Sequence, residues 1–256
     1  MANRFVDLAL YPRNDSHHSQ EQNNNTMKII TQYSFGRLIT GALLTSMADL
    51  PAAVVVDQFN SPDGGQGVSI SNGIVGTSQN DVRTGLTVLG GSREVFLQLE
   101  AIYDAANFCS ANVNGVTSTD EFSLANGSNV DTVCKLTWDA NSGGLNTNLS
   151  LDYAFSILNV HNDTPVAYTI SMQTFGGGTS TQTVNTGLNY TGNLTFPFSG
   201  FAGGANLADI DSISLNIEGG RSVDVSMDAL VTVPEPASAV LAALGGLGLL
   251  VRRRRA

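Results

Sequence analysis

Ile213-Ser214-Leu215-Asn216-Ile217-Glu218-Gly219-Gly220-Arg221-Ser222-Val223-Asp224-Val225-Ser226-Met227 alternates apolar and polar residues on both sides of a glycine pair. A period of two sends successive side chains to opposite faces of an extended chain. Ile213, Leu215 and Ile217 are therefore expected to bury together, while Ser214, Asn216 and Glu218 meet water. Gly219-Gly220 can take the positive φ angles of a two-residue turn, and Val223, Val225 and Met227 resume the alternation, so the stretch predicts a β-hairpin.

The same rhythm extends through the chain toward its start. Leu151, Tyr153, Phe155 and Ile157 share one face, and Val166, Tyr168, Ile170 and Met172 repeat the pattern after Asn162-Asp163-Thr164-Pro165, which predicts a second hairpin. Further strands are expected over 54–59, 68–75, 85–89, 94–101, 130–138, 181–185 and 194–198, divided by Gly, Asn, Asp and Ser clusters. No stretch of the body keeps helical spacing over three turns, and no self-similar period suggests a solenoid. Short strands at regular intervals predict an all-β fold, an antiparallel β-sandwich of jelly-roll type over 54–231.

Charge narrows the partners. The 256-residue chain has a formal net charge of -10, and between Val54 and Leu230 only Arg83, Arg93, Lys135 and Arg221 oppose seventeen carboxylates. Phosphate backbones need clustered cations, so nucleic acid is excluded as a partner. An acidic surface rich in Asn, Ser, Thr and Gly suits a soluble extracellular body.

The C-terminus has three parts in order: Pro234-Glu235-Pro236, the uncharged run Ala237–Val251, and Arg252-Arg253-Arg254-Arg255 before Ala256. The apolar run is a short transmembrane helix, below the roughly 20 residues that span a bilayer, and snorkelling arginines complete it. The basic cluster stops transfer and fixes the C-terminus in the cytoplasm, so everything before Pro234 faces outward. Together these features resemble the PEP-CTERM sorting signal of bacterial surface and exopolysaccharide-associated proteins, placed at 232–256. The resemblance implies that an exosortase-type transpeptidase cuts near Pro234, Glu235 and Pro236 and discards the helix. An ordinary C-terminal anchor is the alternative, with the same orientation. Leu89–Val95 and Asp209–Leu215 also resemble the sandwich bodies of a common group of PEP-CTERM proteins.

Export needs a signal at the other end. Met27-Lys28, Arg37 and the apolar stretch Leu38–Met47 have the charged and hydrophobic regions of a signal peptide over 27–53, with small residues for signal peptidase at Ser46-Met47-Ala48. Residues 1–26 are polar and aperiodic, either a disordered extension or a misassigned start. The expected destination is an inner-membrane intermediate, then the cell surface or extracellular matrix.

Candidate chemistry is sparse. In an oxidising compartment Cys109 and Cys134 are expected to pair, closing a loop of about 25 residues worth about 3 kcal/mol. Asp57 on the first strand and Asp224 and Asp228 on the last form a calcium candidate if the terminal strands pair, because hard oxygen ligands suit that ion. Trp138 is either a rim platform for sugar or a core plug between sheets. Glu94 and Glu100 share a face and are either groove carboxylates or solvated side chains, and His161 lacks a nucleophile-elbow partner. The expectation is a non-enzymatic structural or adhesive protein of the exopolysaccharide or biofilm; a carbohydrate-binding module, then a polysaccharide hydrolase or lyase, are the alternatives.

Overall fold

The computed structural model describes residues 52–60, 65–103, 107–114 and 121–235. The expected extension, most of the signal peptide, the transmembrane helix 237–251 and Arg252–Arg255 lie outside the described residues. Among the described residues no helix is long and apolar enough to cross a membrane.

Among the described residues there are fifteen strands: β1 (Val55–Asp57), β2 (Gln66–Ser71), β3 (Ser78–Thr84), β4 (Ser92–Ile102), β5 (Phe108–Asn114), β6 (Glu121–Asn126), β7 (Val130–Trp138), β8 (Asp152–Asn162), β9 (Val166–Thr174), β10 (Thr179–Asn185), β11 (Tyr190–Pro197), β12 (Ala202–Gly203), β13 (Ile210–Gly219), β14 (Asp224–Met227) and β15 (Ala229–Pro234). They build two antiparallel sheets. One runs β1-β15-β8-β14-β6-β5-β2, with β11 also on β8, and the other runs β12-β10-β9-β13-β7-β4-β3. This is a β-sandwich, as the alternation requires.

The apolar rows of the two sheets meet in one core. Val95, Leu97 and Leu99 of β4, Cys134, Leu136 and Trp138 of β7, and Ile213, Leu215 and Ile217 of β13 come from one sheet. Cys109, Ala111 and Val113 of β5, Phe122 and Leu124 of β6, and Phe155 and Ile157 of β8 come from the other. At about 1.5–3 kcal/mol per buried large apolar side chain, these rows supply the main stabilising term.

Neither expected hairpin forms. β13 pairs with β7 and β9, whereas β14 pairs with β6 and β8 in the opposite sheet. Gly219-Gly220 therefore carries the chain across the core rather than back along the same sheet. β8 and β9 are divided between the sheets in the same way. Alternation specifies which face of a strand is buried and says nothing about which neighbour it bonds, so both patterns fit a strand pair split between sheets. The crossing is tight at Gly219, where an added Cβ would lie 2.7 Å from a Val223 methyl.

Five strands lie where the sequence pattern predicts none: β3, β5, β6, β12 and β15. β3 is exposed along nearly its whole length and has no apolar row; it pairs with β4 at the sheet edge, while the expected strand at 85–89 is a turn leading to β4. β5 and β6 do alternate, but their inward rows give a weak signal: Cys109 and Ala111 are small, and the row of β6 holds only Phe122 and Leu124 before the polar Asn126.

Candidate functional site

The last strand leads directly into the tail. β15 lies between β1 and β8 and ends at Pro234, which has no N–H to donate and so suits a strand end. Thr232 is buried on it: its N–H donates to the Val54 carbonyl at 2.8 Å, its Oγ1 accepts the Val54 N–H at 2.7 Å, and that hydroxyl donates to Asp152 Oδ1 at 3.0 Å. Burial pushes the Asp152 carboxyl up, and the Thr232 hydroxyl opposes that shift. One step further, the Glu235 N–H donates to the Leu151 carbonyl at 3.2 Å and the Glu235 side chain is exposed. Pro234-Glu235 is thus held at one end of the sandwich with no spacer between the domain and the tripeptide.

The outer face of the β10-β9-β13-β7-β4-β3 sheet bears a shallow groove of about 590 Å³. Thr137 of β7, Thr169 and Ser171 of β9, and Ser214 and Asn216 of β13 line it, with Lys135 and Asp139 supplying opposite charges. Hydroxyls, amides and one charge of each sign can hydrogen-bond a polyhydroxylated ligand. No aromatic ring lines the groove to stack on a sugar.

The expected calcium ligands do not converge. β1 does pair with β15, Val55 opposite Val231 and Asp57 opposite Leu230. Asp57, however, points into the core: its Oδ2 accepts Arg93 Nη1 at 2.6 Å and Trp138 Nε1 at 2.9 Å, and its Oδ1 accepts the Phe59 N–H at 2.7 Å. Asp224 and Asp228 lie elsewhere; the Asp224 N–H is held by Asp163 Oδ1 at 2.9 Å, and Asp228 Oδ2 accepts Asn159 Nδ2 at 2.5 Å. Among the described residues no group of three or more His, Cys, Asp or Glu side chains could hold a metal ion.

Trp138 is fully buried, which corrects its reading as a rim platform and leaves the core plug. Its N–H is satisfied by Asp57, the polar partner that a buried indole needs. Cys109 and Cys134 are free thiols rather than a disulfide: they are buried on β5 and β7, one strand in each sheet. Burial pushes both thiols up, Cys134 strongly.

Glu94 and Glu100 stand on the outer face of β4 with Phe96 and Gln98 between them. Six residues of extended strand separate them by about 20 Å, beyond the roughly 5–10 Å of a glycosidase pair. His161 is exposed on β8, its Nδ1 2.9 Å from Thr191 Oγ1.

The main arrangement that sequence reasoning misses is the Arg93-Asp57-Trp138 cluster, completed by Gln66, whose Oε1 accepts Arg93 Nε at 2.8 Å. Its signal is the parity of Arg93, which matches Val95, Leu97 and Leu99 and so places a cation in the core row, where it demands an anion.

No curated protein matches the chain. Among solved structures it is similar to the family 11 carbohydrate-binding module of a cellulosomal cellulase of Clostridium thermocellum, with 11% identity, 72% of this chain and 95% of that one covered, and a TM-score of 0.37. It is also similar to the CBM22-1–GH10 modules of a Clostridium thermocellum endo-1,4-β-D-xylanase complexed with xylohexaose, with 13% identity, 73% and 29% coverage, and a TM-score of 0.32. A third similar structure is an exo-β-agarase, with 11% identity, 73% and 25% coverage, and a TM-score of 0.34. Residues 232–255, which begin at the buried Thr232 and run through the arginine cluster, match a PEP-CTERM protein-sorting motif, and this motif implies an exported, cell-surface protein processed by an exosortase.

Proposed function

We propose that this protein is a non-enzymatic component of the bacterial surface or exopolysaccharide matrix, delivered by its tail and contributing a rigid sandwich to adhesion or structure. The observation that carries this reading is the direct run of β15 into the sorting motif, which makes the whole described body the cargo of that signal. The transpeptidase meets Pro234-Glu235-Pro236 at the end of a folded domain, where the two prolines restrict the backbone to extended conformations. Signal peptidase acts at the other end, and the basic cluster holds the intermediate in the inner membrane until cleavage.

Expression with the matching exosortase tests the proposal through intact-mass measurement of the secreted product. The expected mass lacks the tail that follows the tripeptide, and neutral replacements of Arg252–Arg255 are expected to slow its removal. A secreted pool that keeps the tail, or a full-length pool confined to the cytosol, refutes the reading.

The polar groove on the β7, β9 and β13 face favours a second reading, a carbohydrate-binding module within the same matrix. Its expected signature is retention on the organism's own polysaccharide that falls in a Lys135→Ala, Asp139→Ala double variant. Equal retention of this variant and the parent eliminates the groove.

A further inference from the structure

The start of β8 carries two exposed apolar side chains beside a break in its pairing with β15. Phe155 and Ile157 are fully buried, whereas Tyr153 and Leu151 are 46% and 64% exposed, because a register shift against β15 places the buried Asp152, rather than Tyr153, opposite Pro234. These two side chains lie where the chain leaves the domain, because the Leu151 carbonyl accepts the Glu235 N–H and Pro234 pairs with Asp152. The start of the body emerges beside it. β1 is antiparallel to β15, and the Thr232 N–H bonds the Val54 carbonyl, so the exposed Ala52 and Ala53 flank Pro234.

Ala237, the first residue of the uncharged run, is two residues beyond Glu235. Two residues reach at most about 7 Å, so a bilayer that holds the run also meets the tip of the sandwich. Leucine and tyrosine are suited to that depth, the tyrosine ring especially, since its apolar body and hydroxyl match the boundary between acyl chains and headgroups.

We infer that Leu151 and Tyr153 form a lipid-binding tip that seats the sandwich on the outer face of the membrane while the tail is attached. This rests on the reading of Ala237–Val251 as a membrane helix. Lipid is the occupant because the chain's own apolar run starts within two residues of this end. Attraction between charges does not drive the contact, since the body is acidic and Glu235 is the exposed charge at the exit. Two side chains give only weak binding by themselves, and the short tether makes it effective by holding the tip at the surface. Seating consequently ends when the tail is cut, and the domain is released from the membrane.

Spin-label accessibility on the full chain in phosphatidylethanolamine–phosphatidylglycerol vesicles tests this. Nitroxides are placed singly at Tyr153→Cys, at Leu188→Cys beyond the opposite end of β8, and at Leu244→Cys in the tail; the native thiols are buried and remain unlabelled. At position 153 the expected result is severalfold more collision with oxygen than with a nickel chelate, as at 244, with the reverse at 188. A label at 153 that behaves like the one at 188 while 244 is lipid-buried overturns the seat alone. Water exposure at 244 overturns both the seat and the membrane helix. Shielding of 153 from both reagents assigns the tip to a second copy or another protein and also overturns the seat.

Discussion

Arg93 of β4 donates through Nη1 to Asp57 Oδ2 of β1 at 2.6 Å, an ion pair with both side chains fully buried that ties one sheet to the other. Desolvation makes such a pair expensive, and the Trp138 and Phe59 N–H groups offset part of that cost at the carboxylate. Three donors satisfy the carboxylate, whereas Arg93 Nη2 meets no acceptor among the described residues. The cluster therefore fixes how the sheets register more than it adds to stability.

Removing one partner leaves a buried charge alone. Asp57→Ala or Arg93→Ala is expected to cost about 3–5 kcal/mol. Arg93→Met combined with Asp57→Leu should recover much of that loss in urea titration. Equal instability of the single and double variants would mean that packing, and not the unpaired charge, sets the cost.

Thr232 closes β15 onto Asp152 and Val54. Thr232→Val leaves the buried Asp152 carboxyl and the Val54 N–H unpaired, at about 1–3 kcal/mol, and Thr232→Ser should restore most of it. Hydrogen exchange localises the effect: faster exchange at the amides of Thr232 and Glu235 is expected, and a uniform rise across the domain would argue against a local clamp.

Cys109 and Cys134 are buried thiols whose thiolates are disfavoured. Native protein is expected to resist iodoacetamide at neutral pH and to take up label at both positions once unfolded in denaturant without reductant. Labelling that requires reductant would instead reveal a disulfide.

Glu100, Asp131 and Glu218 crowd one end of the β3–β4–β7–β13 side of their sheet, near Arg221, whose guanidinium carbon stacks 3.2 Å from the Tyr103 ring centre. Burial, then Glu218 and Asp131, raise the Glu100 carboxyl above 4.5; burial first, with Glu218 adding to it, raises Asp131 above 3.8, while Arg221 opposes. An acid with a raised folded-state pKa holds its proton longer in the native state than in the unfolded chain. Stability from these groups therefore falls as pH rises through the interval above their ordinary values. Unfolding midpoints are expected to drop as pH rises above the ordinary carboxylate values of 3.8 and 4.5. Asp131→Asn should flatten that slope, and an unchanged slope would place its origin in other carboxylates.

The inward rows of β4, β7, β8, β9 and β13 are readable because their apolar residues recur at every second position, which follows from strand geometry alone. β3 is unreadable: an edge strand exposed on both faces needs no apolar row, and among the described strands it pairs with β4 alone. The candidate site divides in the same manner. Residue order reveals Pro234-Glu235-Pro236 and the tail, because a sorting signal is itself linear. The groove of Thr137, Ser171 and Asn216 gathers residues from β7, β9 and β13, and common hydroxyls give no sign of it.

By itself, the sequence determined that the body is built of strands with one buried face and that its tail is a sorting address, since periodicity and a contiguous motif are properties of order along the chain. Tertiary structure decided that the glycine turn at 219–220 crosses between sheets, that Asp57 belongs to Arg93 and Trp138 instead of a cation, and that the two thiols are unbonded. Each of those outcomes depends on which strands lie side by side or face to face, and a period of two is identical for every choice of neighbour.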